Sequence, residues 1–189
     1  MRIELTRDWY HKPTTTKVMA ELVLTTETLS FEISISDSPN IPLTEHPNST
    51  LNQPQTELWK YDVVECFLAS SNDNGLPYLE LNLNPSGAWW MMKFNETRIQ
   101  DPAFKLQEAQ QNLQVIKTPA SSKLIIQRNF LEAQLNEPLE NLSFNITAII
   151  NTHSKQQFLT HANLAGKTPD FHQPHHFVRV DSGVRQKIE

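Results

Sequence analysis

Glu57-Leu58-Trp59-Lys60-Tyr61-Asp62-Val63-Val64-Glu65-Cys66-Phe67-Leu68 opens the most informative stretch of the chain. After a polar loop it resumes as Pro77-Tyr78-Leu79-Glu80-Leu81-Asn82-Leu83-Asn84-Pro85-Ser86-Gly87-Ala88-Trp89-Trp90-Met91-Met92-Lys93-Phe94 and runs on to Arg98. It lays out as a three-stranded antiparallel meander. If the loop Ser70–Pro77 closes symmetrically, Ala69 faces Tyr78, Leu68 faces Leu79, Cys66 faces Leu81 and Val64 faces Leu83. Every pair is apolar, and a slip of one residue would turn each side chain to the other face. Asn84-Pro85-Ser86-Gly87 has the residues of a type I turn. Closed as a four-residue turn, it sends Ala88, Trp90 and Met92 to the core side. The opposite face then carries Val63, Glu65 and Phe67, then Glu80, Asn82 and Asn84, then Trp89, Met91 and Lys93.

Working outward, alternation with period two recurs. Phe31, Ile33 and Ile35 alternate with Glu32, Ser34 and Ser36; Phe144, Ile146, Ala148 and Ile150 form a second such row. Such runs are half-buried strands. Further strands are expected at Lys17–Thr25, Asp62–Ala69, Ala88–Phe94, Leu113–Lys117, Lys123–Gln127, Gln157–His161 and His176–Asp181. Helix signals are limited to Asp101–Gln111, opened by Asp-Pro, and Asn129–Leu135. Residues 37–58, broken by Pro39, Pro42, Pro47 and Pro54, read as a long rim loop. The expectation is an all-β, antiparallel two-sheet sandwich, jelly-roll-like or immunoglobulin-like, with one or two short helices and a single domain over residues 1–189.

Composition narrows the function. The chain has 189 residues, 38% hydrophobic and 20% charged, with a formal net charge of −5, and no local basic cluster, which argues against a nucleic-acid partner. One cysteine, Cys66, allows no intrachain disulfide, and its apolar setting reads as a buried small hydrophobe. Neither a secretory leader nor an apolar run of membrane-spanning length is visible, so a cytoplasmic protein without membrane contact is expected.

The face opposite the core holds the candidate site. Glu65 stands on a strand apolar on both sides, where a carboxylate needs a partner, with Arg98 or Lys93 as candidates. Glu65, Asn82 and Trp89 fall in one row, with Trp59 at its mouth. One reading is a solvated outer face with a structural ion pair. The other is a platform on which an indole stacks against a sugar ring while Glu, Asn and Arg bond its hydroxyls.

These residues carry a resemblance. The spacing Trp59-x2-Asp62-x2-Glu65-x-Phe67, the strand Tyr78-Leu79-Glu80-Leu81 and the run Asn84-Pro85-Ser86-Gly87-Ala88-Trp89 resemble the DOMON-like superfamily, in its branch similar to family 9 carbohydrate-binding modules. The likeness covers residues 57–98 and continues more weakly through Lys167-Thr168-Pro169-Asp170-Phe171-His172 and Phe177. It implies a jelly-roll-like sandwich without catalytic activity. In the sugar-binding relatives two tryptophans clamp a sugar, helped by a Glu, an Arg and amides. Trp59 and Glu65 match the first clamp and its Glu, and Arg98 matches the Arg. No Trp follows Trp90, and Phe171 and His172 lie where the second clamp belongs.

The expected function is therefore reversible, non-catalytic binding of a carbohydrate or related polar small molecule through Trp59, Glu65, Asn82, Trp89, Arg98, Phe171 and His172. No metal and no cofactor is implied. The alternatives carry their own residues. Phe67, Trp89 and Met91, exposed together, would dock a protein partner or a second copy of the chain. Met91 or Met92 with a histidine could ligate haem. The cluster Asp170, His172, His175 and His176 reads as surface histidines rather than a zinc site. Glu65 and Glu80 share a face, as a glycosidase pair must, but a flat sheet does not enclose a substrate.

Overall fold

The computed structural model describes residues 1–36, 51–72, 74–151 and 156–180. Alternating apolar residues build a sandwich of two antiparallel sheets. The chain starts with β1 (Arg2–Arg7), β2 (Pro13–Leu24) and β3 (Thr28–Ser36). It continues through β4 (Val63–Ala69), β5 (Tyr78–Leu83), β6 (Trp89–Glu96) and β7 (Ile99–Gln100). A short helix α1 (Leu106–Gln111), β8 (Leu113–Lys117), β9 (Ser122–Gln127) and α2 (Arg128–Leu135) follow. The described chain ends with β10 (Ser143–Asn151), β11 (Gln156–Thr160) and β12 (Val178–Arg179). The first sheet has the order β1-β2-β3-β9-β8; the second has β11-β10-β4-β5-β6-β7, with β12 beside β10.

The core lies between them. Val18, Leu22, Phe31, Ile33, Leu124 and Ile126 of the first sheet meet Val64, Cys66, Leu81, Leu83, Phe144 and Ile146 of the second, all buried. Each such Leu, Ile or Phe contributes roughly 1.5–3 kcal/mol on leaving water. Burial also pushes the Cys66 thiol up, so it stays protonated. Phe130, Leu131 and Leu135 of α2 join this core, and the helix stops at Asn136, which takes a left-handed conformation (φ 55°) that Asn tolerates. Among the described residues no helix is long and apolar enough to cross a membrane.

Several expectations need adjusting. β1 was not anticipated, because it carries only two inward apolar residues, Ile3 and Leu5. The helix expected from Asp101 begins five residues later. The Asp101 carboxylate instead accepts the Ala103 N–H (2.9 Å) and pairs with Lys93 (3.0 Å). The strand expected at His176–Asp181 shortens to Val178–Arg179 behind a 3-10 turn at Pro174–His176. Asp181 and residues 37–50 of the expected rim loop lie outside the described residues.

The meander is where parity decides the site. β4 and β5 pair as the apolar match requires: Val64 with Leu83, Cys66 with Leu81, Leu68 with Leu79 and Ala69 with Tyr78. The second hairpin does not close on four residues. Gly87 N–H donates to the Asn84 carbonyl (3.0 Å), as in a type I turn, but Gly87 then takes φ 88°, and the closing pair is Asn84 with Ala88 (2.9 Å). Type I plus a left-handed glycine is the three-residue hairpin. The extra residue moves β6 by one, so Leu83 faces Trp89, Asn82 faces Trp90, Leu81 faces Met91 and Glu80 faces Met92. Trp89 and Met91 therefore point into the sandwich core, and Trp90 and Met92 take the outer face.

That outer face is partly roofed. Residues 162–177 cross it as a strap. Gln173 fastens the strap to itself, its amide donating from Nε2 to the Ala165 carbonyl (2.6 Å) while its Oε1 accepts the Ala165 N–H (3.0 Å). Asn145 Oδ1 on β10 accepts the Ala162 N–H (2.8 Å) and holds its start. Beneath it Phe67, Ala69, Tyr78 and Phe94 form a second apolar cluster with Phe171 and Phe177, and Trp9 packs on Phe171 (6.1 Å between rings).

Candidate functional site

Where the strap stops short, the outer face opens into a cavity of about 400 Å³. Its floor follows from strand pairing. Thr147 of β10, Glu65 of β4, Asn82 of β5 and Trp90 of β6 are consecutive partners, so they form one row across four strands. The adjacent row holds Phe67, Glu80 and Met92. Trp59, on the 3-10 turn Leu58–Lys60, stands at the rim with 49% of its surface exposed. Arg98 and Asp170, joined by an ion pair of 2.7 Å, form part of the wall, with Phe171 and His172 from the strap.

The two acids of the floor are held by neutral neighbours. Glu65, 4% exposed, accepts a hydrogen bond from the Thr147 hydroxyl at Oε2 (2.9 Å). Neither Arg98 nor Lys93 takes the partner role expected of it, since Arg98 pairs with Asp170 and Lys93 with Asp101. Glu80 Oε1 accepts from Asn82 Nδ2 (2.8 Å). Burial pushes the Glu65 carboxyl up to about 8, and the Glu80 charge adds to the rise; the Thr147 hydroxyl and Arg98 oppose it. Burial likewise raises Glu80, against the Asn82 hydrogen bond and Arg98.

His172 is locked beside them. Its Nδ1 lies 2.8 Å from the Tyr78 hydroxyl, which accepts the Arg98 N–H (3.0 Å). With the Tyr78 O–H donating a hydrogen bond to Nδ1, the neutral imidazole carries its hydrogen on Nε2, 3.6 Å from Glu80 Oε2. Phe67 and Phe94 meet the imidazole edge-on at 5.4 and 5.1 Å. Burial, with the nearby Arg98 charge, lowers His172 to about 4, so the ring is neutral at physiological pH. Asp170 moves the opposite way from what its burial favours: the His172 N–H and Arg98 outweigh desolvation and lower it.

The structure thus brings Trp59, Glu65, Asn82, Arg98, Phe171 and His172 to one cavity. Trp89 is not among them. It is fully buried between the sheets, and Trp90 occupies the row position that the four-residue turn assigned to Trp89. Trp90 escaped the sequence reading, although the signal was present: a glycine directly after three type I turn residues marks the longer hairpin. The apolar docking patch is also corrected, because Phe67, Trp89 and Met91 are all fully buried. Met92 reaches the cavity and Met91 does not. The exposed rings of His175 and His176 lie 4.2 Å apart, tilted by 44°, and among the described residues no three His, Cys, Asp or Glu side chains converge as a metal site.

No family model matches this chain, and no curated protein sequence does. Its fold is similar to three solved structures. One is a Bacteroides uniformis protein described as a candidate carbohydrate-binding protein, with a TM-score of 0.68 and 14% identity over 94% of this chain and 84% of that one. The others are family 9 carbohydrate-binding modules from Caldicellulosiruptor kristjanssonii. The module in complex with glucose gives a TM-score of 0.56 and 14% identity, covering 98% of this chain and 84% of that one. The module in complex with cellotriose gives 0.51 and 15%, covering 88% and 75%. At this identity the likeness concerns the fold.

Proposed function

We propose that the cavity binds a carbohydrate reversibly and leaves it chemically unchanged. The observation that carries the reading is the row Glu65–Asn82–Trp90 at the base of an open cavity, with a second exposed indole, Trp59, at its rim. An indole face covers the C–H face of a pyranose, and convergent polar groups take its hydroxyls, which is the usual division of labour in a polar-ligand site. The similar fold of modules solved with glucose and cellotriose supports the same reading. Phe171 and His172 stand on the strap side, where the resembled family places its second aromatic, so the aromatic walls here would be Trp59 and Trp90.

Catalysis is not part of the reading. Glycoside cleavage needs an acid and a base or nucleophile on opposite sides of the scissile bond. Glu65 and Glu80 instead sit on adjacent strands of one flat floor, tied to Thr147 and Asn82.

A glycan array followed by calorimetry on the hits tests this. Wild-type protein binds at least one saccharide class, Glu65→Ala abolishes that binding, and Glu80→Ala weakens it less. An array with no hit, or equal affinity for wild type and Glu65→Ala, overturns the reading.

A further inference from the structure

The floor of the cavity sets two carboxyl groups side by side, next to a buried amide oxygen. Glu65 and Glu80 offer carboxylate oxygens, and the Asn82 side-chain oxygen, on a residue 2% exposed, is buried without a hydrogen-bond partner. Two neighbouring donors are already spent on these acids: the Thr147 hydroxyl on Glu65 and Asn82 Nδ2 on Glu80. Among the described residues Arg98 is the one Lys or Arg in the wall, and it is engaged by Asp170, while the neutral His172 brings no charge to Glu80. Two carboxyl groups from adjacent strands thus line the cavity, and the Arg98 charge reaches them only from its pair with Asp170.

From this floor we infer that the ligand carries a protonated primary amine, and that within the carbohydrate reading above the preferred ligand is an amino sugar. An ammonium brings a positive charge, three N–H donors and no lone pair, which suits two adjacent carboxylates. A sugar hydroxyl brings a single hydrogen and no charge, so it cannot compensate two adjacent carboxylates. A uronate brings a further negative charge to two acids and is disfavoured. Hydrogen bonds with both partners charged are about twice as strong as neutral ones. The saccharide part of this inference rests on the proposed function, whereas the amine part rests on the floor alone.

Binding has a second consequence. Burial and the neighbouring Glu80 charge keep the Glu65 carboxyl protonated at pH 6 while the cavity holds no cation. An ammonium between them favours the ionised form of both, so its arrival releases a proton to solvent.

Calorimetry at pH 6, repeated in buffers of different ionisation enthalpy, reads both effects. The ligands are the methyl glycosides of glucose, glucosamine, N-acetylglucosamine and glucuronic acid, the matching galactose series, and cyclohexylamine as an amine without a sugar. The expected result is that an aminoglycoside sugar binds about tenfold or more tighter than its neutral and N-acetyl counterparts, with net proton release. The doubly substituted Glu65→Gln, Glu80→Gln protein, its fold checked by thermal melting, should lose that preference. A neutral glycoside binding as tightly as its amine, or an amine preference that survives the double substitution, overturns the amine inference and leaves carbohydrate binding standing. Cyclohexylamine binding with no glycoside binding overturns the carbohydrate reading and supports the amine inference. If nothing binds, both fall.

Discussion

Trp89 and Trp90 are neighbours in sequence and serve opposite faces of one sheet. Trp89 is sealed between the sheets with Leu83 and Met91, while Trp90 shares the outer cavity with Glu65 and Asn82. The inner face is dominated by apolar side chains and serves to exclude water. The outer face is divided. Beneath the strap it repeats the inner solution, with Phe67, Tyr78, Phe94 and Phe177 packed together. Beyond the strap it holds two buried acids and a buried amide oxygen without a partner. A polypeptide retains buried acids at a cost to stability, so the pair placed where the strap leaves the face open marks ligand chemistry rather than packing.

The largest effect expected from this contrast comes from exchanging the roles of the two indoles. Trp89→Ala removes a fully buried side chain and should destabilise the fold by about 3–5 kcal/mol in urea denaturation. Trp90→Ala should cost the fold far less, yet weaken saccharide binding by about 2 kcal/mol, roughly thirtyfold, in calorimetry. Comparable losses of stability in the two variants would erase the distinction between the faces.

Next comes the pH dependence of the floor. The folded-state value of Glu65 lies above its ordinary 4.5. Its contribution to stability is therefore fully present below about pH 4.5 and is lost as pH rises through about 8. Glu65→Gln keeps the shape and removes the titration, so at pH 8.5 it should exceed wild type by roughly 1–2 kcal/mol, with little difference at pH 5. Melting temperatures of both proteins between these values measure the gap. A constant offset across the range would show that Glu65 titrates as it does in the unfolded chain.

The smallest effect belongs to the rim. The Arg98–Asp170 pair is well exposed (57% and 40% of the side chains), and Arg98→Gln should change folding stability by less than about 1 kcal/mol in thermal melts. A larger loss would mean that the rim bears on packing as the strap does.

Much of this contrast was legible in the sequence, and the failure is instructive. The β4–β5 register could be read because every pair in it is apolar and a slip would expose them all. The β5–β6 register could not be read the same way. Trp89-Trp90-Met91-Met92 is large and apolar at every position, so either parity satisfies the core and only Gly87 discriminates. Glu65 and Asn82 were found because a polar residue in an apolar strand is visible without any register. The unpaired Asn82 oxygen was hidden, since it depends on where the Glu80 side chain turns. The strap was glimpsed only at Phe171 and His172, because residues 162–177 form irregular structure with no period to read.

The central claim is that the outer row, and not the inner one, meets a saccharide. Nuclear magnetic resonance titration of isotopically labelled protein with a saccharide identified on the array tests it directly. The account predicts that the indole N–H signals of Trp90 and Trp59 and the side-chain amide of Asn82 move together and saturate, while the Trp89 indole stays in place. Movement of Trp89 without Trp90, or saturation that leaves all three outer signals unchanged, would contradict it.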